Sequence, residues 1–370
     1  MITFSLVAFL AAFALAALLT PLARRLAIRM DLVAPVRSDR LHTEPRPYGG
    51  SAAILATLFI LGFIPLMVCT LLAVRGEALV SEQHLRTLNN FQKQSLPLLG
   101  GILFFYWLGL IDDRLSLSAW IKLPVELTIA AYVVWGLGLR ATVWLSAPYA
   151  GDVVSILWIV ALVNAYNMLD HADGLAAAAG AVALIALAAG QMLVDVACVP
   201  VAALMTAGAL SGFLIYNFPP AKLFMGDAGT MLVGFLLAAL TIQGRYYYEG
   251  LTPSRLVVLI PLALLAVPLF DMVCVVAARL WRRQNPMKGD ATSHLAHRML
   301  ARGWSPRGIV AFAAGATAVT GAASVSMYFL SGPALLLPWL GVAGVLAAML
   351  LVRRPPRRSV QSAPEGRNAL

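Results

Sequence analysis

The chain has 370 residues, of which 61% are hydrophobic and only 12% are charged, and its mean hydropathy is +0.83. Soluble proteins contain about 45–50% apolar and about 25% charged residues, so this composition excludes a soluble enzyme and indicates a polytopic membrane protein. The apolar segments are continuous rather than alternating, which excludes a β-barrel. In a membrane protein the net charge of +10 reports topology first, and we expect no nucleic-acid partner.

Apolar segments that could cross a bilayer, which takes about 20 residues of helix, follow one another along the chain. The sequence predicts an all-α, polytopic helical bundle of about eleven transmembrane helices, over residues 3–22, 50–74, 96–111, 119–138, 153–166, 174–190, 196–216, 228–244, 256–278, 308–330 and 334–352. We expect a single transmembrane domain, residues 1–352, followed by a disordered basic tail, residues 353–370.

Lys and Arg residues are spread unevenly over the predicted loops. They concentrate in alternate loops, of which residues 23–49 and 279–307 are the richest. Because cytoplasmic loops are enriched in Lys and Arg, this bias predicts that the N-terminus lies outside and the C-terminus lies in the cytoplasm.

Carboxylates cluster in the same predicted cytoplasmic loops, at the ends of the spans. Asp112 and Asp113 follow the third span, Asp170 and Asp173 lie between the fifth and the sixth, and Asp227 precedes the eighth. A folded bundle would gather these charges in one cleft, which favours a hard cation such as Mg²⁺ with oxygen ligands. The alternative is that Asp173 and Asp227 only cap the helices that follow them.

Basic and imidazole side chains flank this acidic cluster. The first predicted cytoplasmic loop contains Arg46, and the last one contains His294 and His297. An acidic cleft, a metal and a basic rim together are typical of a site for a phosphorylated substrate. A transporter is the alternative from another class, because acids within spans also mark ion paths, and Glu126 and Asp271 are the residues that it would use.

Five motifs resemble, in the same order, those of the polyprenyl-phosphate N-acetylhexosamine-1-phosphate transferases, which form glycosyltransferase family 4. They are Pro45-Arg46-Pro-Tyr-Gly49-Gly50, Asp112-Asp113, Asn164-Ala-Tyr-Asn167-Met-Leu-Asp170-His171-Ala172-Asp173-Gly174, Phe224-Met225-Gly226-Asp227 and His294-Leu-Ala-His297-Arg298. The chain departs from the family at two of these positions. His171 replaces a glycine, which is tolerated if residue 171 is not left-handed, and Ala296 replaces the middle histidine of the last motif.

The resemblance implies a reaction. The chain would transfer a sugar 1-phosphate, GlcNAc 1-phosphate in the first instance, from a UDP-N-acetylhexosamine to undecaprenyl phosphate or another polyprenyl phosphate. UMP would be released and assembly of a lipid-linked cell-surface glycan would begin. The resemblance further implies a bacterial inner-membrane protein with its active site on the cytoplasmic face.

The resemblance also implies roles for individual residues. Asp227 and Asn167 would hold Mg²⁺, or alternatively Mn²⁺, and Asp112 and Asp113 would be candidates for deprotonating the lipid phosphate. A phosphate monoester is already mostly dianionic at pH 7, so a positioning role for this pair is an equal alternative. The residues implied in substrate binding are Arg46, Asn164, Asp170, Asp173, Lys222, Phe224, Gly226, His294, His297 and Arg298.

Two alternatives stay open at this point. Within the family, the peptidoglycan translocase branch uses a MurNAc-pentapeptide substrate. That branch carries three consecutive histidines in its last loop, which this chain lacks, so the sequence favours the GlcNAc branch. For the oligomeric state, a homodimer is an alternative to a monomer.

Overall fold

The computed structural model describes residues 2–34, 46–74, 82–141, 149–194, 198–247, 254–285 and 294–353. The described residues are mostly helical. The helices are α1 (Ile2–Arg29), α2 (Gly50–Leu58), α3 (Ile64–Val74), α4 (Glu82–Leu115), α5 (Ala119–Ala131), α6 (Ala150–Leu169), α7 (Leu175–Met192), α8 (Cys198–Asn217), α9 (Gly226–Gln243), α10 (Ile260–Leu264), α11 (Ala266–Trp281), α12 (Leu295–Leu300), α13 (Pro306–Ser326) and α14 (Leu336–Arg353).

Short irregular segments complete the architecture. Among the described residues, π-helical segments at Phe59–Phe63 and Tyr132–Gly136 follow α2 and α5, and 3₁₀ segments at Arg255–Leu259 and Gly332–Leu335 precede α10 and α14. Two strands, β1 (Val33–Ala34) and β2 (Arg46–Pro47), pair in an antiparallel ladder. The predicted tail lies outside the described residues apart from its first residue, Arg353, which ends α14.

Within the described ranges, nine helices are long and apolar enough to cross a membrane. Residues 255–264 and 266–281 meet at 66° and would form a tenth span together. The predicted all-α, polytopic membrane fold is therefore confirmed. The remaining predicted span, residues 119–138, is helical over most of its length but carries Lys122 and Glu126, which are both buried. The count of eleven spans and the orientation stay predictions.

The helices differ in how much of their surface the bundle covers. Helix α9 is almost entirely buried and packs against α4 and α6. Helix α1 lies at the periphery, where Phe4, Leu10 and Leu18 are exposed, as expected for side chains that face lipid. Apolarity all round a helix therefore does not by itself separate a central helix from a lipid-facing one.

Helix α1 is held to the bundle by close contact with α8. At Gly212 of α8, an added Cβ would lie 2.3 Å from the carbonyl oxygen of Phe13, and at Gly208 it would lie 2.2 Å from that of Phe9. Small residues at such contacts let two helix backbones approach closely in a membrane, where packing rather than the hydrophobic effect drives association. The contact matters for the site described below, because the last turns of α1 border it.

We expect Gly212→Leu to lower the free energy of unfolding in detergent by ~1–3 kcal/mol, because the new side chain overlaps the backbone of α1. Thermal unfolding of the purified protein measures the change. Gly315→Leu in α13 is the matched control, since an added Cβ there meets no atom within 4 Å. Equal destabilisation by both substitutions would contradict the packing argument.

Candidate active site

A cavity of about 990 Å³ opens where the ends of α4, α6, α9 and α12 come together. Several residues predicted from the sequence line it: Asp112, Asp113, Asn164, Asn167, Asp170, Asp227 and His294. Other parts of the wall are apolar and come from α1 and α11, through Leu26, Met30, Met272 and Val276. The cavity thus combines an acidic lining with an apolar side.

Asp113 anchors the beginning of α9. Its Oδ1 accepts a hydrogen bond from the backbone N–H of Asp227 at 2.8 Å, and its Oδ2 accepts one from Ala228 at 3.2 Å. The first N–H groups of a helix have no partner within the helix, so a carboxylate is favoured there. Gly226 has a φ of +75°, and a Cβ at this position would lie 2.7 Å from Oδ2 of Asp113. Glycine is therefore required for the carboxylate to dock.

Asp227 is held by an amide from α6. Nδ2 of Asn167 donates to Oδ1 of Asp227 at 3.0 Å and to Oγ1 of Thr230 at 3.1 Å. The N-cap residue of α9 is Met225, and no side-chain capping hydrogen bond is formed. Asp227 is therefore not the N-cap residue of α9, although it lies in the first turn of that helix.

Asp173 belongs to the motif over residues 164–174 and contacts the loop that contains Arg46. It does not cap α7, whose N-cap is Gly174. Nη1 of Arg46 donates to Oδ2 of Asp173 at 2.9 Å, and the Arg46 guanidinium lies 5.6 Å from the centre of the Phe224 ring. The backbone N–H of Phe224 donates to the carbonyl of Pro47 at 3.0 Å. These contacts bring three of the five motifs together next to the cavity.

Lys122 is a site residue that the sequence did not identify. It is 8% exposed, and its Nζ donates to Oδ2 of Asp112 at 2.6 Å and to Oδ1 of Asn167 at 3.3 Å. One turn further along α5, the fully buried Glu126 accepts a hydrogen bond from Nδ2 of Asn164. The signal in the sequence was a Lys and a Glu four residues apart in an otherwise apolar segment, since charged residues in a span usually mark a functional site.

Asp271 holds the last motif in place. This carboxylate is 2% exposed, accepts a hydrogen bond from the backbone N–H of Leu295 at 3.2 Å, and forms an ion pair with Arg353. Nδ1 of His294 lies 3.6 Å from its Oδ2. Nη1 of Arg298 donates to the carbonyl of Arg353 at 3.0 Å. Asp271 therefore fastens α12 to the end of α14.

The structure places the other predicted residues at different distances from the cavity. Arg46, Asp173, Phe224 and Gly226 form a layer that adjoins its lining. The side chain of Lys222 is exposed, and its carbonyl accepts a hydrogen bond from Nε of Arg24. His297 and Arg298 are partly buried in α12 and do not belong to the cavity lining that the described residues form.

His171 and Ala296, the two departures from the family motifs, lie in different surroundings. His171 lines the cavity and is not among the described residues with a positive φ, so the conformational freedom of glycine is not needed there. The backbone condition under which this replacement is tolerated is therefore met. Ala296 is buried in the core of the bundle.

Comparison with known proteins points to one family. The model of glycosyl transferase family 4 matches residues 95–245. A probable undecaprenyl-phosphate N-acetylglucosaminyl 1-phosphate transferase of Bacillus subtilis is 29% identical over 315 residues, which cover 81% of this chain and 78% of that protein. The decaprenyl-phosphate N-acetylglucosaminephosphotransferase of Mycolicibacterium smegmatis is 33% identical over 334 residues, 80% of this chain and 77% of that protein.

A shorter region of the chain is similar to an enzyme of the MurNAc-pentapeptide branch, which the sequence left open. The phospho-N-acetylmuramoyl-pentapeptide-transferase of Lactiplantibacillus plantarum is 40% identical over 125 residues, which cover 32% of this chain and 34% of that protein.

We expect Lys122→Met to destabilise the protein by ~3 kcal/mol or more, because it removes one partner of a buried ion pair and leaves the Asp112 carboxylate uncompensated. The double variant Lys122→Met/Asp112→Asn, which removes both charges, is expected to recover much of that loss. Thermal unfolding in detergent checks both variants. A double variant that is no more stable than Lys122→Met would contradict the pairing of these two side chains.

Proposed function

The chain belongs to glycosyl transferase family 4, a family of multi-pass membrane transferases, and from this premise we propose that it transfers GlcNAc 1-phosphate from UDP-GlcNAc to a polyprenyl phosphate. The relatives that match most of the chain are named for transfer of this kind, one to undecaprenyl phosphate and one to decaprenyl phosphate. The MurNAc-pentapeptide alternative is not favoured, since the similarity to the Lactiplantibacillus plantarum enzyme of that branch covers 32% of the chain.

One observation carries the proposal beyond the family match. The ends of α4, α6 and α9 bring Asp112, Asp113, Asn167 and Asp227 to a single cavity whose lining also includes apolar residues of α1 and α11. A reaction between a water-soluble, anionic nucleotide sugar and a lipid phosphate needs this combination. The transporter alternative fits less well, because Glu126 contacts Asn164 of this site and Asp271 anchors its last motif.

The reaction joins two anions. An oxygen of the lipid phosphate forms a bond to the β-phosphorus of the nucleotide sugar. The bond between that phosphorus and the bridging oxygen breaks, and UMP leaves with the bonding electrons. Because the attacking oxygen is already charged at pH 7, repulsion between the phosphates and their alignment dominate the barrier.

The contacts of the aspartate pair support a positioning role for it. Both oxygens of Asp113 accept hydrogen bonds from the backbone of α9, and Asp112 accepts from Nζ of Lys122 and from the N–H of Leu117 at 2.8 Å. A carboxylate that serves as a general base must reach the proton that it removes. We infer that the pair orders Asp227 and Lys122 around the reacting phosphates, and that neither carboxylate is needed to generate the nucleophile.

We also propose that the site uses Mg²⁺, with Asp227 and Asn167 as the protein ligands and Mn²⁺ as an alternative ion. The described residues contain no group of three or more His, Cys, Asp or Glu side chains placed to hold a metal. Mg²⁺ does not require one, since it is usually bound through one or two carboxylates, substrate phosphates and water. Oδ1 of Asn167 lies 3.3 Å from the buried ammonium of Lys122, so this proposed ligand oxygen already faces a cation. When bound, the ion would neutralise part of the diphosphate charge.

Finally, we propose that the protein lies in the bacterial inner membrane with this cavity at the cytoplasmic face. The loops that contribute Arg46 and His294 are the ones richest in Lys and Arg, which supports that side. UDP-sugars are cytoplasmic, so the same side gives the donor access.

We expect Asp227→Ala to lower the rate of UMP release by ~10²-fold or more, because the proposed metal loses its carboxylate. Folding should be retained, since Asp113 bonds to the backbone of residue 227 and not to its side chain. UMP formation from UDP-GlcNAc and undecaprenyl phosphate, together with the melting temperature, measures both effects. Asp290→Ala, in the last predicted cytoplasmic loop and outside the described residues, is expected to be milder. Full activity in Asp227→Ala would refute the metal assignment.

A further inference from the structure

Three imidazole rings from two distant segments meet beside the cavity. The ring centres of His171, after α6, and His294, before α12, lie 3.6 Å apart with 21° between the ring planes. The ring of His297 lies 6.3 Å from that of His171 in an edge-to-face arrangement. At 3.6 Å the first two rings are in van der Waals contact, so they form one stacked unit.

The two stacked rings differ in their exposure. His294 is 2% exposed, and its Nδ1 edge points at the buried carboxylate of Asp271, which already binds Arg353 and Leu295. His171 is only partly buried. Both residues line the cavity, and of the two it is His171 that keeps accessible surface, although its Nδ1 is buried.

The position of His171 brings its ring next to the reacting groups. It directly follows Asp170, and both residues line the same cavity as Asn167 and Asp227. That lining is rich in carboxylates, which repel phosphate. Phosphate binding therefore needs hydrogen-bond donors in this lining, where the cations are Arg114, Arg279 and Lys122, the last of them engaged by Asp112. A neutral imidazole still carries one N–H donor, so it can bind a phosphate oxygen without adding charge to the cluster.

We propose that His171 is a substrate-binding residue whose ring N–H donates to a phosphate oxygen of a substrate, and that His294 is the positioning residue on which this ring stacks. The inference rests on the proposed transferase function and deepens it. The proposal also connects His171 and Ala296, the two positions at which the chain departs from the family motifs. The residue at position 296 is a buried alanine, and the ring that reaches the cavity comes instead from position 171.

The phosphate could belong to the UDP-sugar or to the lipid, and two substitutions of His171 separate the donor from the stack. His171→Phe keeps a planar ring on His294 but removes the N–H. His171→Asn keeps an N–H donor but removes the ring. We expect His171→Phe to raise the KM for one substrate about tenfold, as loss of a hydrogen bond to a charged group does, with an unchanged melting temperature. His171→Asn should raise it less.

Initial rates of UMP release are measured for the wild type and both variants, with each substrate varied while the other is saturating. A higher KM for UDP-GlcNAc assigns the contact to the donor diphosphate, and a higher KM for undecaprenyl phosphate assigns it to the lipid. Unchanged KM values for both substrates in His171→Phe would overturn the inference and leave His171 with a purely stacking role.

A binding measurement keeps the two proposals separable. The melting temperatures of the wild type, His171→Phe and His171→Asn are measured with UDP-GlcNAc alone and with undecaprenyl phosphate alone, so that no turnover occurs. No UMP release by the wild type would contradict the proposed function, whereas the inference is decided by whether His171→Phe loses stabilisation by one of the two ligands. Equal stabilisation of wild type and His171→Phe by both ligands would overturn it.

Discussion

Mutual repulsion among carboxylates at one end of the bundle is the constraint on which the rest of the structure depends. Asp112, Asp113 and Asp227 come from two helices and meet at one cavity, where charges interact more strongly than in bulk water. Each is compensated differently: Asp112 by the ammonium of Lys122, Asp113 by the first N–H groups of α9, and Asp227 by the amide of Asn167. The packing of α4, α5, α6 and α9 is thus coupled to the charge balance of the site.

The same contacts explain how a site can be ordered before its substrates arrive. Asp113 fixes where α9 begins, and α9 is the most deeply buried of the candidate spans in the described part of the chain. Asp271 orders the last motif in a similar way. Its buried carboxylate contacts both the beginning of α12 and Arg353 at the end of α14. The proposed active site is therefore built on helix ends whose positions the buried core already determines, and such a site would favour precise alignment of two phosphates.

Much of this arrangement could be predicted from the sequence, because apolar segments and their charged ends are local signals. The motifs around Asn167 and Asp227 pointed to the residues that meet in the cavity. Local patterns could not show which groups compensate each other. The Asp113 bond to α9 spans 114 positions in the chain and the Arg46 bond to Asp173 spans 127, so no periodicity reports them. The sequence marked Lys122 as a charge within an apolar segment, but only the fold shows that Asp112 is its partner.

The central claim is that these groups form the site of a metal-dependent transfer of a sugar 1-phosphate to a lipid phosphate. The most direct test is UMP release by the purified wild-type protein in detergent, with undecaprenyl phosphate and UDP-GlcNAc, in the presence of Mg²⁺ and after its removal with a chelator. We predict UMP formation that requires both the lipid phosphate and Mg²⁺ and returns when the ion is restored. Folded, monodisperse protein that forms no UMP, or forms it equally well without the ion, would contradict the account.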